Sequence, residues 1–328
     1  MSETALTPAR FRDRDVVFAN GLVGRDIAVP TANPVNFHQA ISAPGEMAPA
    51  SIDAKLFLPP VAAGALTPAV IVTPGSLGVA VSHLAHAEAL TDAGIAALVI
   101  DPFGARGVTS TVANQAQYSF AASGYDVLAA LRVLAETPGI DPARIGAQGH
   151  SRGGSAVLTA ASARFADAVM GEGPRLAAVY AAYPWCGQQF ADPSVGETWV
   201  RAIIGERDEW CSPQQAQGCL NAIRLTGGRA DFRLVADAAH SFDRESPLET
   251  IAEASVSPAA PTTYIADDGA MIHPLTGLAD PALVDRDLMV YALKAGFGVR
   301  GAEIGSKPGQ PALFRADMMD FWRRALVG

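Results

Sequence analysis

The hexapeptide Gly149-His150-Ser151-Arg152-Gly153-Gly154 constrains this chain more than any other feature of its sequence. It follows the apolar run 145–148 and reads G-x-S-x-G, the pattern that holds a serine on a sharp strand-to-helix turn. Side chains at positions 149 and 153 would collide with such a turn or with the following helix, which explains the glycines. Because the helix begins at the serine, its free N–H groups and positive dipole end would face an oxyanion formed there. The motif therefore predicts that Ser151 is a nucleophile; a Gly-rich turn that serves only packing is the alternative.

Predicted strands and helices alternate around this motif. Continuous apolar runs at 69–73 and 95–100 are typical of strands covered on both faces. Further strands are predicted at 145–148, 176–183, 198–204 and 232–236. Helices are predicted at 82–93, 113–136, 153–163 and 211–225. This alternation predicts an α/β fold with a mostly parallel central sheet and helices on both faces.

Four segments describe the predicted organisation of the chain. Residues 1–50 form an N-terminal extension with edge strands, among them short strands at 15–18 and 27–30, and residues 51–244 form the α/β core. Residues 245–312, rich in Pro, Gly, Asp and Ala, form an insertion before the last helix. The insertion is either a small cap over the site or a decoration of the sheet edge. Residues 313–328 are predicted to form a C-terminal core helix.

Composition excludes several classes of function. The chain has 328 residues, of which 49% are hydrophobic, enough for a large core. A net charge of -9 without a basic run argues against a nucleic-acid partner. No stretch is long and apolar enough to span a bilayer, and the first residues resemble no signal peptide, so we expect a cytoplasmic protein without a membrane partner. The oligomeric state stays open.

Neither metal nor disulfide chemistry is predicted. Cys186, Cys211 and Cys219 are odd in number and lack C-x-x-C spacing, so reduced thiols lining a pocket or core are expected. If two of them pair, Cys186 would pair with Cys211 or Cys219. His83 and His86 stand three residues apart on a predicted helix, but without a third ligand at useful spacing we expect both at the surface. No metal and no organic cofactor are therefore expected.

A serine nucleophile needs a histidine base and an acid from later strand ends. Of the six histidines, His240 lies just past the strand at 232–236, where a loop could carry it over the serine. Asp208 follows the strand at 198–204 and stands between the serine and the histidine in chain order, as the acid should. The competitors of Asp208 are Glu206, Glu209 and Asp237.

Further residues near the strand ends would complete the site. The backbone N–H of Arg152 is one expected oxyanion donor, and a second should come from the loop 74–78. Arg106 could bind a substrate carboxylate, although pairing with Asp101 or another nearby acid is favoured, and we expect the Arg152 side chain to be solvated. Open α/β sheets bind ligands at the carboxyl ends of their strands. Aromatic residues at those ends predict the walls of an apolar substrate pocket: Phe103, Tyr183, Trp185, Trp210 and Phe242.

The order Ser151, Asp208, His240 resembles the α/β-hydrolase fold, and the details are most similar to the dienelactone hydrolase family. The resemblance covers residues 50–245 and the last helix, and it rests on the sequences at 101–107, 141–146, 205–210 and 240–243. It implies that the second oxyanion donor is the N–H of Ser76, with Leu77 as second choice and as a pocket residue. The founding dienelactone enzymes use a cysteine nucleophile, so Ser151 favours a general ester as substrate.

These features predict a serine hydrolase that cleaves small carboxylic esters through a Ser-His-Asp triad and an acyl-enzyme intermediate. An amidase, a peptidase or an acyltransferase on the same fold is the alternative, as is a noncatalytic ligand-binding relative. A nucleotide-binding protein is less favoured. Gly75 and Gly78 follow a strand and Asp101 ends the next one, but the dinucleotide fingerprint lacks its G-x-G start and its third glycine.

Overall fold

The computed structural model describes residues 10–60 and 64–328. The strands are β1 (Arg25–Asn33), β2 (Ala48–Phe57), β3 (Thr67–Thr73), β4 (Ala96–Asp101), β5 (Ile140–His150), β6 (Ala178–Ala182), β7 (Gln188–Phe190), β8 (Trp199–Gly205), β9 (Ala230–Val235), β10 (Glu249–Val256), β11 (Thr263–Ile265), β12 (Met271–Ile272), β13 (Ala279–Asp280) and β14 (Val299–Ile304). The helices are α1 (Phe37–Ser42), α2 (Val81–Asp92), α3 (Phe120–Ala135), α4 (Arg152–Ala161), α5 (Ala163–Met170), α6 (Pro213–Leu225), α7 (Asp285–Lys294) and α8 (Gln310–Trp322). Short 3-10 helices occupy Phe11–Asp13, Pro44–Glu46 and Gly104–Arg106, and a π turn, Arg323–Val327, extends α8.

Eight strands form the central sheet in the order β1-β2-β4-β3-β5-β6-β8-β9. Strands β1 and β2 are antiparallel to each other, and β2 is antiparallel to β4. All other neighbours in this sheet are parallel. The carboxyl ends of the parallel strands therefore meet at one edge, where open α/β sheets bind ligands. This architecture confirms the predicted α/β-hydrolase fold.

The inner parallel strands are largely buried on both faces because their side chains alternate between two cores, whereas the edge strand β9 is partly exposed. Ile71 of β3 belongs to one apolar core together with side chains of α3 and α4, whereas its neighbours Val70 and Val72 belong to a second core that includes side chains of α2 and α8. Trp322 of α8 is fully buried in the second core, and its indole N–H donates to Gln148 Oε1 at 2.8 Å. The last helix is thereby fastened to β5, the strand that leads to Ser151.

Some predicted elements differ from the structure. The helix predicted at 113–136 begins only at Phe120, where the Ser119 side chain caps its first turn, and the polar residues before it form a loop. The strand predicted at 15–18 is reduced to one antiparallel bridge between Val17 and Val23, both exposed and outside the central sheet. The last helix begins at Gln310, ahead of the predicted boundary at 313.

The segment 245–312 folds as two small sheets and α7. Strands β10 and β14 form an antiparallel pair, while β11, β12 and β13 extend a sheet that begins with β7 of the core. The parallel pairing of β11 with β7, which includes Thr263 opposite Gln188, joins the segment to the core. No helix among the described residues is long and apolar enough to cross a membrane.

Candidate active site

Ser151 occupies the turn between β5 and α4 with φ 54° and ψ -115°, a conformation that non-glycine residues rarely adopt. A Cβ added to Gly149 would lie 1.9 Å from the carbonyl oxygen of Gly153, and one added to Gly153 would lie 2.4 Å from that of Thr73. Both positions therefore require glycine, which confirms the steric argument made from the sequence. The Ser151 N–H donates to Ala182 O of β6 at 2.9 Å and holds the turn in place.

Hydrogen bonds connect the three residues expected to form a triad. His240 Nδ1 lies 2.7 Å from Asp208 Oδ2, and His240 Nε2 lies 3.0 Å from Ser151 Oγ. The other oxygen of Asp208 accepts the backbone N–H groups of Trp210 and Cys211, each at 2.9 Å. This carboxylate favours the tautomer of His240 that carries its proton on Nδ1, which leaves Nε2 free to accept a proton from Ser151. All three residues are buried.

Trp210 covers the imidazole of His240. Its indole stacks on the ring with centroids 5.3 Å apart, and its N–H donates to Glu303 O of β14 at 2.9 Å. The segment before the last helix thus helps to position the ring that packs on His240.

A second buried Asp–His pair lies beside His240 and was missed by the sequence analysis. Asp243 Oδ2 lies 2.9 Å from His86 Nε2, and Asp243 Oδ1 accepts the hydroxyl of Tyr183 at 2.7 Å. The Tyr183 ring contacts His240 edge-on, with centroids 4.7 Å apart. Burial alone raises the pKa of Asp243, but the hydrogen bond and charge of His86, with His150 and Tyr183, outweigh it and hold the pKa well below its usual range. The pair therefore ties the loop that carries His240 to α2.

His83 and His86 were predicted to lie at the surface, but that prediction is wrong: each is buried and only 2% exposed. They pack around His150, the residue before the nucleophile, with ring centroids 4.6 Å and 5.3 Å from its ring, respectively. Burial lowers the pKa of His150 to about 3 and that of His83 well below its usual value, so both are neutral near pH 7. The motif H-S-F-D at 240–243 and the i, i+3 histidines were the only sequence signals for this cluster.

Two groups of side chains among the described residues have the donor atoms that a metal ion prefers. Possible ligand atoms of His86, His150 and Asp243 lie within 4.8 Å of one another, as do those of Asp208, Cys211 and His240. In the first group the two imidazole rings are stacked, with 10° between their planes, whereas a shared ion would have to lie in the plane of both rings. In the second group the donor atoms of Asp208 and His240 already bond each other. Neither group fits a metal centre.

The loop after β3 lies directly against the serine turn. A Cβ added to Gly75 would lie 3.0 Å from the carbonyl oxygen of His150, so any other residue would push this backbone back by a few tenths of an ångström. Ser76 is fixed beyond it, because its hydroxyl donates to Gln115 Oε1 at 2.9 Å. Ser76 and Arg152, whose N–H groups are the expected oxyanion donors, both line the cavity that contains Ser151. Their role as donors stays a prediction.

A large cavity opens at Ser151 and encloses about 1020 Å³, including part of its mouth. Phe120, Trp185 and Trp210 form an aromatic wall on the core side, where the rings of Phe120 and Trp185 lie 4.5 Å apart. Residues from 255–263 and 285–298 also line the cavity. The segment 245–312, whose role the sequence left open, thus lines part of the space beside Ser151.

The predicted pocket residues fall into three groups. Trp185 and Trp210 line the large cavity. Leu77 and Tyr183 line a smaller neighbouring cavity of about 330 Å³, which also contains His240. The prediction is wrong for Phe103 and Phe242. These rings are 2% and 0% exposed, respectively, and pack in the protein interior.

Both arginines considered for substrate binding have partners within the protein. Arg106 forms a buried ion pair with Asp126 at 2.6 Å, and not with Asp101, so it is not available to a substrate. The Arg152 side chain was predicted to be solvated, but it is buried and the residue is only 2% exposed. Its guanidinium lies over the rings of Tyr118 and Phe120 and donates to two backbone carbonyls, and the residue lines the large cavity.

All three cysteines are free thiols, as the reduced-thiol prediction requires. A hydrogen bond with Cys219, together with burial, raises the pKa of Cys186. Cys211 lies beside Ser151 and lines the large cavity, and burial raises its pKa well above the usual value. Cys211 is therefore a thiol, not a thiolate, near neutral pH.

Comparisons with known proteins agree with this architecture. The sequence profile of the dienelactone hydrolase family matches residues 52–263. Two solved structures share the fold: P91, a dienelactone hydrolase-like promiscuous phosphotriesterase from metagenomic libraries (TM-score 0.55, 16% identity), and the protein called m3DLH (TM-score 0.56, 17% identity). Each similarity covers 92% of this chain and 99% of the other. No curated protein matches the chain by sequence.

The family match spans more than half of the chain and includes the serine turn, Asp208 and His240. It agrees with the strand order of the sheet and with the place of Ser151 at the carboxyl edge. The chain is a hydrolase with the α/β-hydrolase fold and belongs to the dienelactone hydrolase family.

Proposed function

We propose that this protein is a serine esterase that cleaves small carboxylic esters through an acyl-enzyme. The observation that carries the proposal is the hydrogen-bonded chain from Asp208 through His240 to Ser151, with the serine on a strained turn. A hydroxyl becomes a good nucleophile only when a base takes its proton and an acid orients that base. The three side chains have the contacts that this requires.

In the first half-reaction, Ser151 Oγ attacks the acyl carbon while His240 Nε2 takes the serine proton. Asp208 keeps the imidazole oriented and stabilises its charged form. The carbonyl oxygen becomes an oxyanion that the N–H groups of Arg152 and Ser76 would stabilise, assisted by the N-terminus of α4. When the ester bond breaks, the alcohol leaves with the proton held by His240, and the acyl group stays on Ser151.

In the second half-reaction, water attacks the acyl carbon and gives a proton to His240 Nε2. The second tetrahedral intermediate collapses, the carboxylic acid leaves, and the proton returns to Ser151 Oγ. One water is consumed for each ester cleaved. The scheme uses no group beyond the side chains and backbone N–H groups named above.

Hydrolysis of p-nitrophenyl esters from acetate to octanoate tests this proposal. We expect turnover by the wild type and a fall of about 10⁶-fold in kcat for Ser151→Ala and for His240→Ala, with a smaller fall of about 10⁴-fold for Asp208→Asn. Ser162→Ala is a matched control, because Ser162 is a buried serine whose hydroxyl has no partner among the described residues and lies outside the large cavity. Near-normal turnover by any of the first three variants would remove that residue from the mechanism.

Two further assays separate esterase from the related activities. A p-nitroanilide with the same acyl group would reveal an amidase, and added alcohol would divert the acyl group to a new ester if the protein is an acyltransferase. Since P91 is described as a promiscuous phosphotriesterase, a phosphotriester is a useful third substrate. Preference for any of these over the carboxylic esters would overturn the proposed specificity.

A further inference from the structure

Two cavities of different size meet at Ser151. The large cavity encloses about 1020 Å³ and the smaller one about 330 Å³, each including part of its mouth. Ser76, Ser151 and Trp210 line both of them. An ester bound with its carbonyl at Ser151 would therefore place its acyl arm in one cavity and its alcohol arm in the other.

The position of His240 distinguishes the two cavities chemically. His240 lines the smaller cavity and is not among the described residues that line the large one. The departing alcohol oxygen takes its proton from His240 Nε2, so it must lie within hydrogen-bond reach of that atom. The water of the second half-reaction gives its proton to the same nitrogen and enters from the same side. The smaller cavity therefore suits the alcohol and then the water, whereas the large one suits the acyl group that stays on Ser151.

The walls of the smaller cavity limit the size of the alcohol. Its lining residues are buried except for Leu77, which is 38% exposed, and Arg244, which is half-buried. These two side chains therefore stand at its mouth. The loop before Leu77 is held in place, because Ser76 O accepts the Thr111 N–H at 2.8 Å. Since a packed wall resists overfilling, we expect a methyl or ethyl group to fit and a bulky group to be disfavoured.

The lining of the large cavity suits a bulky apolar group. The rings of Phe120 and Trp185 pack against each other with centroids 4.5 Å apart and form an aromatic wall. Apolar side chains of α7 also line this cavity, namely Leu288, Met289 and Leu293. Pockets that bind small molecules are mostly apolar in this way, and the apolar side chains bury most of the ligand surface.

The charged groups of the large cavity are bonded within the protein. Among the described residues that line it, the charged ones are Arg152 and Asp285. The Arg152 guanidinium donates to two backbone carbonyls at 2.7 Å and 2.6 Å, and the Asp285 carboxylate accepts the Gln188 amide and the Phe120 N–H. An ionised acyl group would lose its hydration here without gaining an unpaired counterion, so a neutral one is favoured.

Resting on the proposed esterase function, we propose that the large cavity binds the acyl group of the ester and the smaller cavity its alcohol, so that this protein cleaves esters of bulky apolar acids with small alcohols. The acyl carbon lies at Ser151, the body of the acid contacts Phe120 and Trp185, and the alcohol oxygen lies beside His240. Methyl and ethyl esters of aryl-substituted acids belong to this class.

Two isomeric esters test the proposal, because they carry the same phenyl group on opposite sides of the ester bond. Methyl 3-phenylpropanoate carries it on the acyl group, and 2-phenylethyl acetate carries it on the alcohol. Dividing kcat/KM of each ester by its rate constant for hydrolysis by hydroxide removes the difference in intrinsic reactivity. We expect a preference of at least about tenfold for methyl 3-phenylpropanoate, since one methylene in a hydrophobic pocket already changes kcat/KM by about 10–200-fold. Equal values, or a preference for 2-phenylethyl acetate, would overturn the proposal.

Substitutions in each cavity should change this preference. Met289→Trp fills the large cavity and should lower kcat/KM for methyl 3-phenylpropanoate by about tenfold, with a smaller effect on 2-phenylethyl acetate, whose acyl group is only acetyl. Leu77→Ala widens the mouth of the smaller cavity, keeps the backbone N–H of residue 77, and should raise kcat/KM for 2-phenylethyl acetate several-fold, roughly.

Val290→Trp is the matched control for Met289→Trp. Val290 is the next residue of α7, it is exposed, and it is not among the described residues that line the large cavity. This variant receives the same new side chain and should keep the full preference. An equal loss of preference in both tryptophan variants would contradict the assignment of the large cavity to the acyl group.

The outcomes separate this inference from the proposed function. If the wild type hydrolyses p-nitrophenyl acetate but does not prefer methyl 3-phenylpropanoate over its isomer, the esterase proposal stands and the assignment of the two cavities is wrong. If the wild type hydrolyses none of the three esters, the esterase proposal itself fails. Should the variants not fold, the two isomers tested with the wild type still decide.

Discussion

Replacing Asp243 by asparagine tests whether the buried pair beside His240 stabilises the site. Asp243 accepts bonds from His86 Nε2 at 2.9 Å and from the Tyr183 hydroxyl at 2.7 Å, and it is 4% exposed. Asparagine keeps the shape but removes the charge and one of the two acceptor oxygens. A buried polar group that loses its hydrogen-bond partner typically costs about 1–3 kcal/mol, and we expect Asp243→Asn to lower the free energy of unfolding by that amount.

The pH dependence of this contribution has a definite sign. The pKa of the Asp243 carboxyl lies below its usual range in the folded protein, whereas in the unfolded chain it is about 3.9. The stabilisation is therefore complete above the unfolded pKa and is lost as the pH falls through the folded pKa. At pH 7 the full difference between the wild type and Asp243→Asn should be measured, and in acid it should shrink.

Urea unfolding followed by tryptophan fluorescence measures this difference. Asp237→Asn is the matched control, since Asp237 is exposed and its pairs with Arg207 and Lys307 are surface ion pairs, worth about 0–1 kcal/mol. Because the Tyr183 ring contacts His240, we also expect Asp243→Asn to lower kcat for p-nitrophenyl acetate by roughly tenfold or more. An Asp243→Asn protein as stable as Asp237→Asn would refute the reasoning.

Three further perturbations follow from the structure. Gly149→Ala places a Cβ 1.9 Å from a backbone oxygen and should lower the free energy of unfolding, measured in urea, by at least about 2 kcal/mol. Gly218→Ala lies in open space on α6 and should raise that free energy by about 0.5–1 kcal/mol. Equal effects of the two substitutions would contradict the steric argument. His150 has a pKa of about 3 in the folded protein and near 6.5 in the unfolded chain. The free energy of unfolding should therefore fall as the pH drops below the unfolded-state pKa. His150→Asn should make this fall less steep by about 1 kcal/mol per pH unit between pH 6 and 4, and parallel stability curves would exclude the effect. Arg106→Met leaves the buried Asp126 carboxylate unpaired and should cost about 3–5 kcal/mol by urea unfolding, so a change within 1 kcal/mol would argue against a charged pair.

The mostly parallel sheet and the meeting of Ser151, Asp208 and His240 could be predicted because both depend on local patterns. Each of the three residues follows a predicted strand, and parallel strands bring their carboxyl ends to one edge. The glycines at 149 and 153 indicated the turn for the same reason, since the space available to them depends on backbone close by in sequence or on the adjacent strand. In such cases spacing along the chain carries the information.

Burial was the property that the sequence could not predict for single polar residues. Arg152 looked like a solvated residue at a helix start, and His83 and His86 looked like surface histidines, yet all three are 2% exposed. Their burial results from packing between elements far apart in the chain, such as the contact of His86 with Phe314 of α8. Phe242 was placed in the pocket by its position at a strand end, but α8 covers it instead.

The sequence by itself determined the fold class and the three residues that meet at the serine turn, because a parallel sheet converts chain order into position at one edge. Only the tertiary structure decided what surrounds them. Asp243 joins His86 across 157 positions of sequence, while Gln188 donates to Asp285 and Gln215 donates to Ala260 where the segment 245–312 packs on the core. No periodicity specifies such contacts, because they depend on how a segment with few regular elements packs on a finished sheet.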